Sequence, residues 1–249
     1  MALDLSLLIQ QIKLEKDITI SNRYFLPEDS AEFLEQILDL ACKFVQTMNA
    51  DTPLFRARLH EPLDRNTHVP HLGFEYKPTA YSISEMGAPP TNKCLPGRLN
   101  PSGIPFLYCA LDADTAVSEM KPWKGAYLTV AELKLARDAR VVDLRCREIS
   151  EINEKTDQIV SEKLWLVFQH TVCTSFAIPY HPSDSYGYVP TQMYASAIKS
   201  RGFDGVLYSS AMNGTGHNVA LFDTKIAEPT QTWIACVDDV KYEIRAEIE

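Results

Sequence analysis

The amino-acid sequence predicts a mixed α+β protein with a mainly antiparallel sheet core over residues 51–249 and an N-terminal helical appendage over residues 1–50. Three observations carry that reading. Apolar residues recur at helical spacing in the first fifty positions. The last third alternates and is rich in β-branched residues, the pattern of strands. Strand-like runs also outnumber the βαβ repeats that a doubly wound parallel sheet requires.

The clearest helix is "PEDSAEFLEQILDLACKFVQTMN", where Leu34, Ile37, Leu38, Ala41, Val45 and Met48 share one face and Asp29 and Glu32 form a capping pair. A helix of this length is marginal alone in water, so its apolar face must be buried. No Gly/Ser-rich linker precedes "PLFRARL", which favours burial against the chain's own larger domain over a second chain. "PLFRARL" is a short strand carrying Arg56 and Arg58. From there to Gly103 the chain is rich in Pro, Gly, His and Tyr and reads mostly as loop.

"IPFLYCALD" follows as an apolar strand. "DADTAVSEMKPW" is a short helix with Asp114 as cap, Pro122 as stop and Glu119 in its last turn. Strands are expected at "AYLTVAEL" and "ARVVDL", a long helix around "DQIVSEKLWLVFQHTVCTSF", and another helix from Thr191 to Arg201, stopped by Gly202. "FDGVLYSS", "NVALFD" and "TWIACVDDVKYEIRAEIE" read as strands.

With 249 residues, 45% of them hydrophobic and 23% charged, the chain has ample material for a core. Its net charge of −9 argues against nucleic-acid or anionic-membrane surfaces, which need clustered Lys and Arg. Asp4, Gln10, Gln11 and Lys13 interrupt the apolar opening segment, so neither a secretory signal nor a membrane span is expected. Six cysteines stand singly, without a CxxC pair, and are read as reduced thiols of a cytoplasmic protein.

Several familiar motifs fail. "GTGHNV" lacks the third glycine of a dinucleotide fingerprint and precedes a strand instead of opening a helix. His68, His71 and Cys94 lack a second cysteine pair or a helical frame, so no metal is expected. What remains is a set of polar residues in strand or loop settings: Arg56, Arg98, Glu119 and Ser210. Arg98 sits in "PGRLNPSGIP", where three prolines and two glycines in ten residues make a rigid loop. Such a loop aims its arginine.

The run "LFRAR", "GRLNPSGIPFLYCALDADTAVSEMKP", "GFDGVLYSS" and "NVALF" resembles the RES domain family, named for an arginine, a glutamate and a serine, over roughly residues 54 to 223. The resemblance implies a fold similar to ADP-ribosyltransferases and an NAD-degrading activity. It places the family's arginine at Arg56, its Gly-Arg-x-Asn loop at Gly97, Arg98 and Asn100, its glutamate at Glu119 and its serine at Ser210, with Ser209 as the alternative. Several family members are toxins paired with a cognate antitoxin, so an antitoxin partner is implied here, and a homodimer stays open. The N-terminal helical segment and a long insertion between Arg56 and Arg98 depart from compact toxins, and "YSISEMGAPP" resembles a longer subgroup.

The chemistry fits those residues. The nicotinamide of NAD is cationic, so cleavage of its N-glycosidic bond releases a neutral leaving group and needs no general acid; one carboxylate suffices where ordinary glycosidases use two. Glu119 would accept a hydrogen bond from a ribose hydroxyl and stabilise developing oxocarbenium charge. Arg56 and Arg98 offer planar forks to the pyrophosphate. Ser210 offers a neutral donor, and Tyr81 or Tyr108 a surface for the nicotinamide ring. NAD is then substrate and not resident cofactor, with water or phosphate taking the ADP-ribose. Two alternatives are a mono-ADP-ribosyltransferase acting on a protein and a non-catalytic NAD-binding module.

Overall fold

Unbroken apolar runs such as those around Val141, Val206 and Val219 belong to strands covered on both faces, and they build one mixed sheet. The structure, a computed structural model, describes residues 3–61, 78–145, 162–181, 184 and 186–241. Its strands are β1 (Val45–Met48), β2 (Leu54–Leu59), β3 (Leu107–Ala110), β4 (Tyr127–Leu135), β5 (Ala139–Asp143), β6 (Gly205–Ser209), β7 (His217–Leu221) and β8 (Ala227–Cys236). They lie in the order β1-β5-β6-β7-β3-β2-β4-β8, antiparallel throughout except between β5 and β6. The helices are α1 (Leu5–Lys16), α2 (Glu28–Ala41), α3 (Ala113–Ser118), α4 (Glu162–Phe168), α5 (Thr174–Ala177) and α6 (Val189–Ser200). This is the mixed, mainly antiparallel α+β class expected.

Alternation along each strand distributes the side chains between two cores. Val142, Val206, Tyr208 and Ala220 join the helices on one face, packing with Phe33, Ile37 and Leu38 of α2, Trp165 and Phe168 of α4, and Tyr194 and Ile198 of α6. Val141, Leu207, Val219 and Leu221 face the other way, with Leu54, Leu107, Cys109, Leu133 and Met86. The apolar face of α2 is thus buried against its own chain. Each large side chain fully buried there contributes about 1.5–3 kcal/mol of transfer free energy, and Ile37, Trp165 and Phe168 are all at most 2% exposed.

Four local expectations need correction. The helical spacing that runs on to Met48 misleads: α2 ends at Ala41, and Val45–Met48 is an edge strand paired with Met48 opposite Ala139 and Val45 opposite Val142. Long-range pairing with β5 decides it, helped by β-branched Val45 and Thr47. Asp29 does not cap α2, whose N-cap is Pro27; its carboxylate instead pairs with Lys13 of α1. Asp112, not Asp114, caps α3, accepting from Thr115 N at 2.7 Å. The expected long helix around residues 157–176 is described from Glu162 onward and is broken by a wider π-type turn at Gln169–Cys173. His68, His71, Cys146 and the tail 242–249 lie outside the described residues.

One discontinuity in the sheet positions the site. β2 and β3 pair at Phe55 opposite Ala110, while β2 pairs β4 along its full length and β3 pairs β7 along its own. Beyond that bridge β2 and β3 part, and a cavity occupies the split.

Candidate functional site

The cavity, about 450 Å³, is lined from β2 by Arg56 and Arg58, from β3 by Tyr108 and Cys109, from the proline-rich loop by Arg98, from the C-cap of α3 by Glu119 and from β7 by Asn218. A strand split leaves backbone groups without ladder partners, and such groups are costly when buried. Arg56 answers this directly: its Nη1 donates to the Tyr108 carbonyl at 2.9 Å, across the gap where a β2 amide would otherwise sit. Its Nε is buried with no partner. Burial, with Arg58 beside it, holds the Arg56 guanidinium below the ordinary arginine range.

The loop around Arg98 is held from three directions. Gly97 N donates to the Asn100 carbonyl at 2.9 Å, closing the turn. A Cβ on Gly97 would lie 2.6 Å from Asn100 Oδ1 and 3.0 Å from the Tyr108 hydroxyl, so only glycine fits. Tyr108 Oη accepts from Leu99 N at 3.0 Å and donates to Asn100 Oδ1 at 2.7 Å, and burial raises its phenol well above the usual range. From α6, Gln192 Nε2 donates to the Gly97 carbonyl at 2.8 Å and Thr191 Oγ1 to the Arg98 carbonyl. The Arg98 guanidinium donates to the Phe176 carbonyl and lies 5.8 Å from the ring centroids of both Tyr188 and Tyr208. Gly97, Tyr108 and α6 thus fix the loop, and Arg98 lines the cavity.

Glu119 stands at the C-cap of α3, its backbone N donating to the Thr115 carbonyl. Two donors meet its Oε1: Ser210 Oγ at 2.7 Å and Asn218 Nδ2 at 2.6 Å. No protein donor reaches Oε2 among the described residues. Ser210 and Asn218 are 8% and 4% exposed, so solvent competes little for these bonds. Of the two adjacent serines, Ser210 is the one that reaches Glu119.

The structure thus gathers Arg56, Arg98, Tyr108 and Glu119 on one cavity and joins Ser210 to it through the carboxylate. Tyr81 and Asn100 are placed elsewhere. Tyr81 stacks on His60, ring centroids 4.4 Å apart and 8° from parallel, and the Arg58 guanidinium lies 4.5 Å from the same centroid. Tyr81 is not among the residues that line the cavity and instead supports Arg58. Asn100 is 2% exposed, and its amide donates to the Leu95 and Pro101 carbonyls at 3.1 and 3.0 Å, which clasps the loop from inside.

Sequence reasoning missed Asn218. Its signal was an amide at the head of the otherwise apolar run "NVALF", a position that alternation buries and that therefore demands a polar partner. Among the described residues, no ion pair engages Arg56, Arg58 or Arg98. No described helix is long and apolar enough to cross a membrane.

A family model described as the RES domain matches residues 67–242. The match takes in Arg98, Glu119, Ser210 and Asn218 and begins beyond Arg56. Comparison with curated proteins gives no match. Three chains of solved structures match. One is from the crystal structure of the M. tuberculosis MbcT-MbcA toxin-antitoxin complex, 15% identical, covering 81% of this chain and 91% of that chain, with a TM-score of 0.40.

Proposed function

We propose, from the premise that this chain belongs to the RES domain family, that it cleaves the N-glycosidic bond between nicotinamide and ribose in NAD. The observation that carries the reading is the pairing of Ser210 and Asn218 on one oxygen of Glu119 at the wall of a cavity that Arg56, Arg58 and Arg98 also line. Two donors on Oε1 fix the carboxylate in place and leave Oε2 for a ribose hydroxyl. As the bond to nicotinamide breaks, positive charge grows on the ribose ring, and a fixed carboxylate stabilises it without the reorganisation that water would need. Nicotinamide leaves neutral with the bonding electron pair. Water attacks the anomeric carbon and releases one proton, giving ADP-ribose; phosphate in its place gives the phosphorylated sugar.

The opposite wall supports an anionic substrate. Arg56, Arg58 and Arg98 have no carboxylate partner within ion-pair distance among the described residues, so the cavity holds more cationic than anionic groups. A pyrophosphate supplies the missing negative charge in a geometry that planar forks match. A volume of about 450 Å³ falls within the usual range of small-molecule sites, about 300–1,000 Å³.

The family reading extends to a toxin restrained by a cognate antitoxin. The test is incubation of the purified chain with NAD alone and with NAD plus phosphate, separating nicotinamide, ADP-ribose and its phosphorylated form by chromatography. Nicotinamide release without any protein acceptor is expected. Intact NAD after prolonged incubation of a folded chain overturns the reading.

A further inference from the structure

We propose that Thr115 and Asn213 are positioning residues that hold the Ser210 hydroxyl against Glu119, a proposal that rests on the NAD-cleaving reading of the site. A hydroxyl rotates freely unless its lone pairs are engaged. Ser210 Oγ accepts from Met212 N at 3.1 Å and from Asn213 N at 3.0 Å, so its own proton is left to donate to Glu119 Oε1. The turn carrying those two amides is therefore what orients the catalytic hydrogen bond.

That turn is tied to the helix that carries Glu119. Asn213 Nδ2 donates to Thr115 Oγ1 at 2.9 Å, and Thr115 Oγ1 donates to Asp112 Oδ2 at 2.7 Å. Asp112 also accepts from Thr115 N at 2.7 Å. Because Asp112 only accepts, every proton in the relay has one direction: amide to hydroxyl to carboxylate. Thr115 is fully buried, and Asn213 half-buried, so water does not readily replace either link. The six-residue α3 thus has Asp112 at its first cap and Glu119 at its last, and the turn from Ser210 to Gly216 is bonded to it at Thr115 and at Glu119. Any shift of the turn relative to α3 moves Ser210 Oγ off Glu119.

Gly216 allows this closure. A Cβ there would sit 2.1 Å from Thr115 Oγ1 and 3.0 Å from Asn213 Nδ2, a separation that real atoms do not reach. The second glycine of "GTGHNV" therefore makes room for the Thr115 side chain, and Gly216 N closes the turn onto the Asn213 carbonyl at 2.9 Å. That is the physical reason for a motif that fails as a dinucleotide fingerprint.

The experiment follows two readouts on the full chain: residue-resolved amide exchange at Met212 and Asn213, and steady-state nicotinamide release. Thr115→Val keeps the shape and removes the hydroxyl. It is expected to speed exchange at those two amides about tenfold and to lower kcat about tenfold with KM held, the effect of losing the hydrogen bond that ties the turn to α3. Thr115→Ser restores the hydroxyl and both readouts. In a Ser210→Ala background Thr115→Val lowers kcat no further, since it acts only through that hydroxyl. Asn213→Ala gives the same pattern and stands in should Thr115→Val fail to fold. Unchanged exchange in the folded variants overturns the clasp. Faster exchange with unchanged kcat, or a further loss in the Ser210→Ala background, overturns the positioning role. A wild-type chain that releases no nicotinamide defeats the NAD reading alone, and exchange at Met212 and Asn213 still decides the clasp.

Discussion

The two walls of the cavity are built on opposite principles. On the acid wall the groups are matched apart from Glu119 Oε2: Oε1 has two donors, Ser210 has two backbone amides and a carboxylate, and the turn behind them is bonded to α3. On the arginine wall the groups are under-matched: Arg56 Nε is buried without a partner, and none of the three guanidiniums has a carboxylate in ion-pair range among the described residues. A matched wall is rigid and suits a step in which charge appears briefly and must be met at once. An under-matched wall carries desolvated charge whose cost is offset only when an anion arrives. The difference separates chemistry from binding, and substitutions on the two walls should separate kcat from KM.

The largest effect is expected on the acid wall. Glu119→Gln keeps the acceptor oxygen for Ser210 and Asn218, so the fold should hold, but it removes the charge that faces the ribose; kcat should fall by about a hundredfold or more, with KM little changed. Steady-state kinetics and thermal unfolding together check this, and near wild-type turnover would merge the two walls into one.

On the other wall, Arg56→Met is expected to weaken NAD binding roughly 10- to 100-fold, the cost of a lost charge-assisted bond to phosphate, while the melting temperature holds. The lost bond to the Tyr108 carbonyl is offset by relief of a buried guanidinium. Calorimetric titration with NAD measures the first part, and a sharp loss of stability would make Arg56 mainly a strut across the strand split.

Arg98→Lys should be milder. It keeps the charge, loses the fork and the flanking contacts with Tyr188 and Tyr208, and is expected to raise KM about tenfold with kcat near wild type. A fall in kcat at constant KM would assign Arg98 to the acid wall's work.

The smallest effect concerns Cys109, which lines the cavity beside Arg56. Burial pushes its thiol up to about 12, so at pH 8 it stays protonated and unreactive. Iodoacetamide should modify exposed Cys236 before Cys109 and leave turnover unchanged. Rapid inactivation tracking Cys109 modification by mass spectrometry would add a nucleophile to the arginine wall.

Much of the acid wall and the Arg98 loop was legible because local sequence encodes it. Glu119 follows a capped short helix, and Arg98 sits among residues whose backbone choices are few. What escaped depends on the far side of the chain. Val45–Met48 continues the helical spacing of α2, and only pairing with β5 reveals it as a strand. Asn218 owes its role to β7 lying between β6 and β3, which no window of neighbouring residues contains. Tyr81 has the right chemistry for a stacking surface, yet it packs with His60 and Arg58 outside the cavity lining. Asn100 reads as an outward donor and turns inward because Leu95 and Pro101 offer carbonyls there.

The partners of Glu119 lie 91 and 99 residues further along the chain, and that spacing has a consequence for synthesis. A ribosome-bound chain halted before Ser210 already contains Arg56, Arg98 and the carboxylate but none of the donors that hold it. Contacts this distant in sequence form late, after the intervening strands have found their places. A nascent or prematurely terminated chain therefore lacks a working acid wall, and the cell meets the assembled site only in molecules whose last strands have been made and paired.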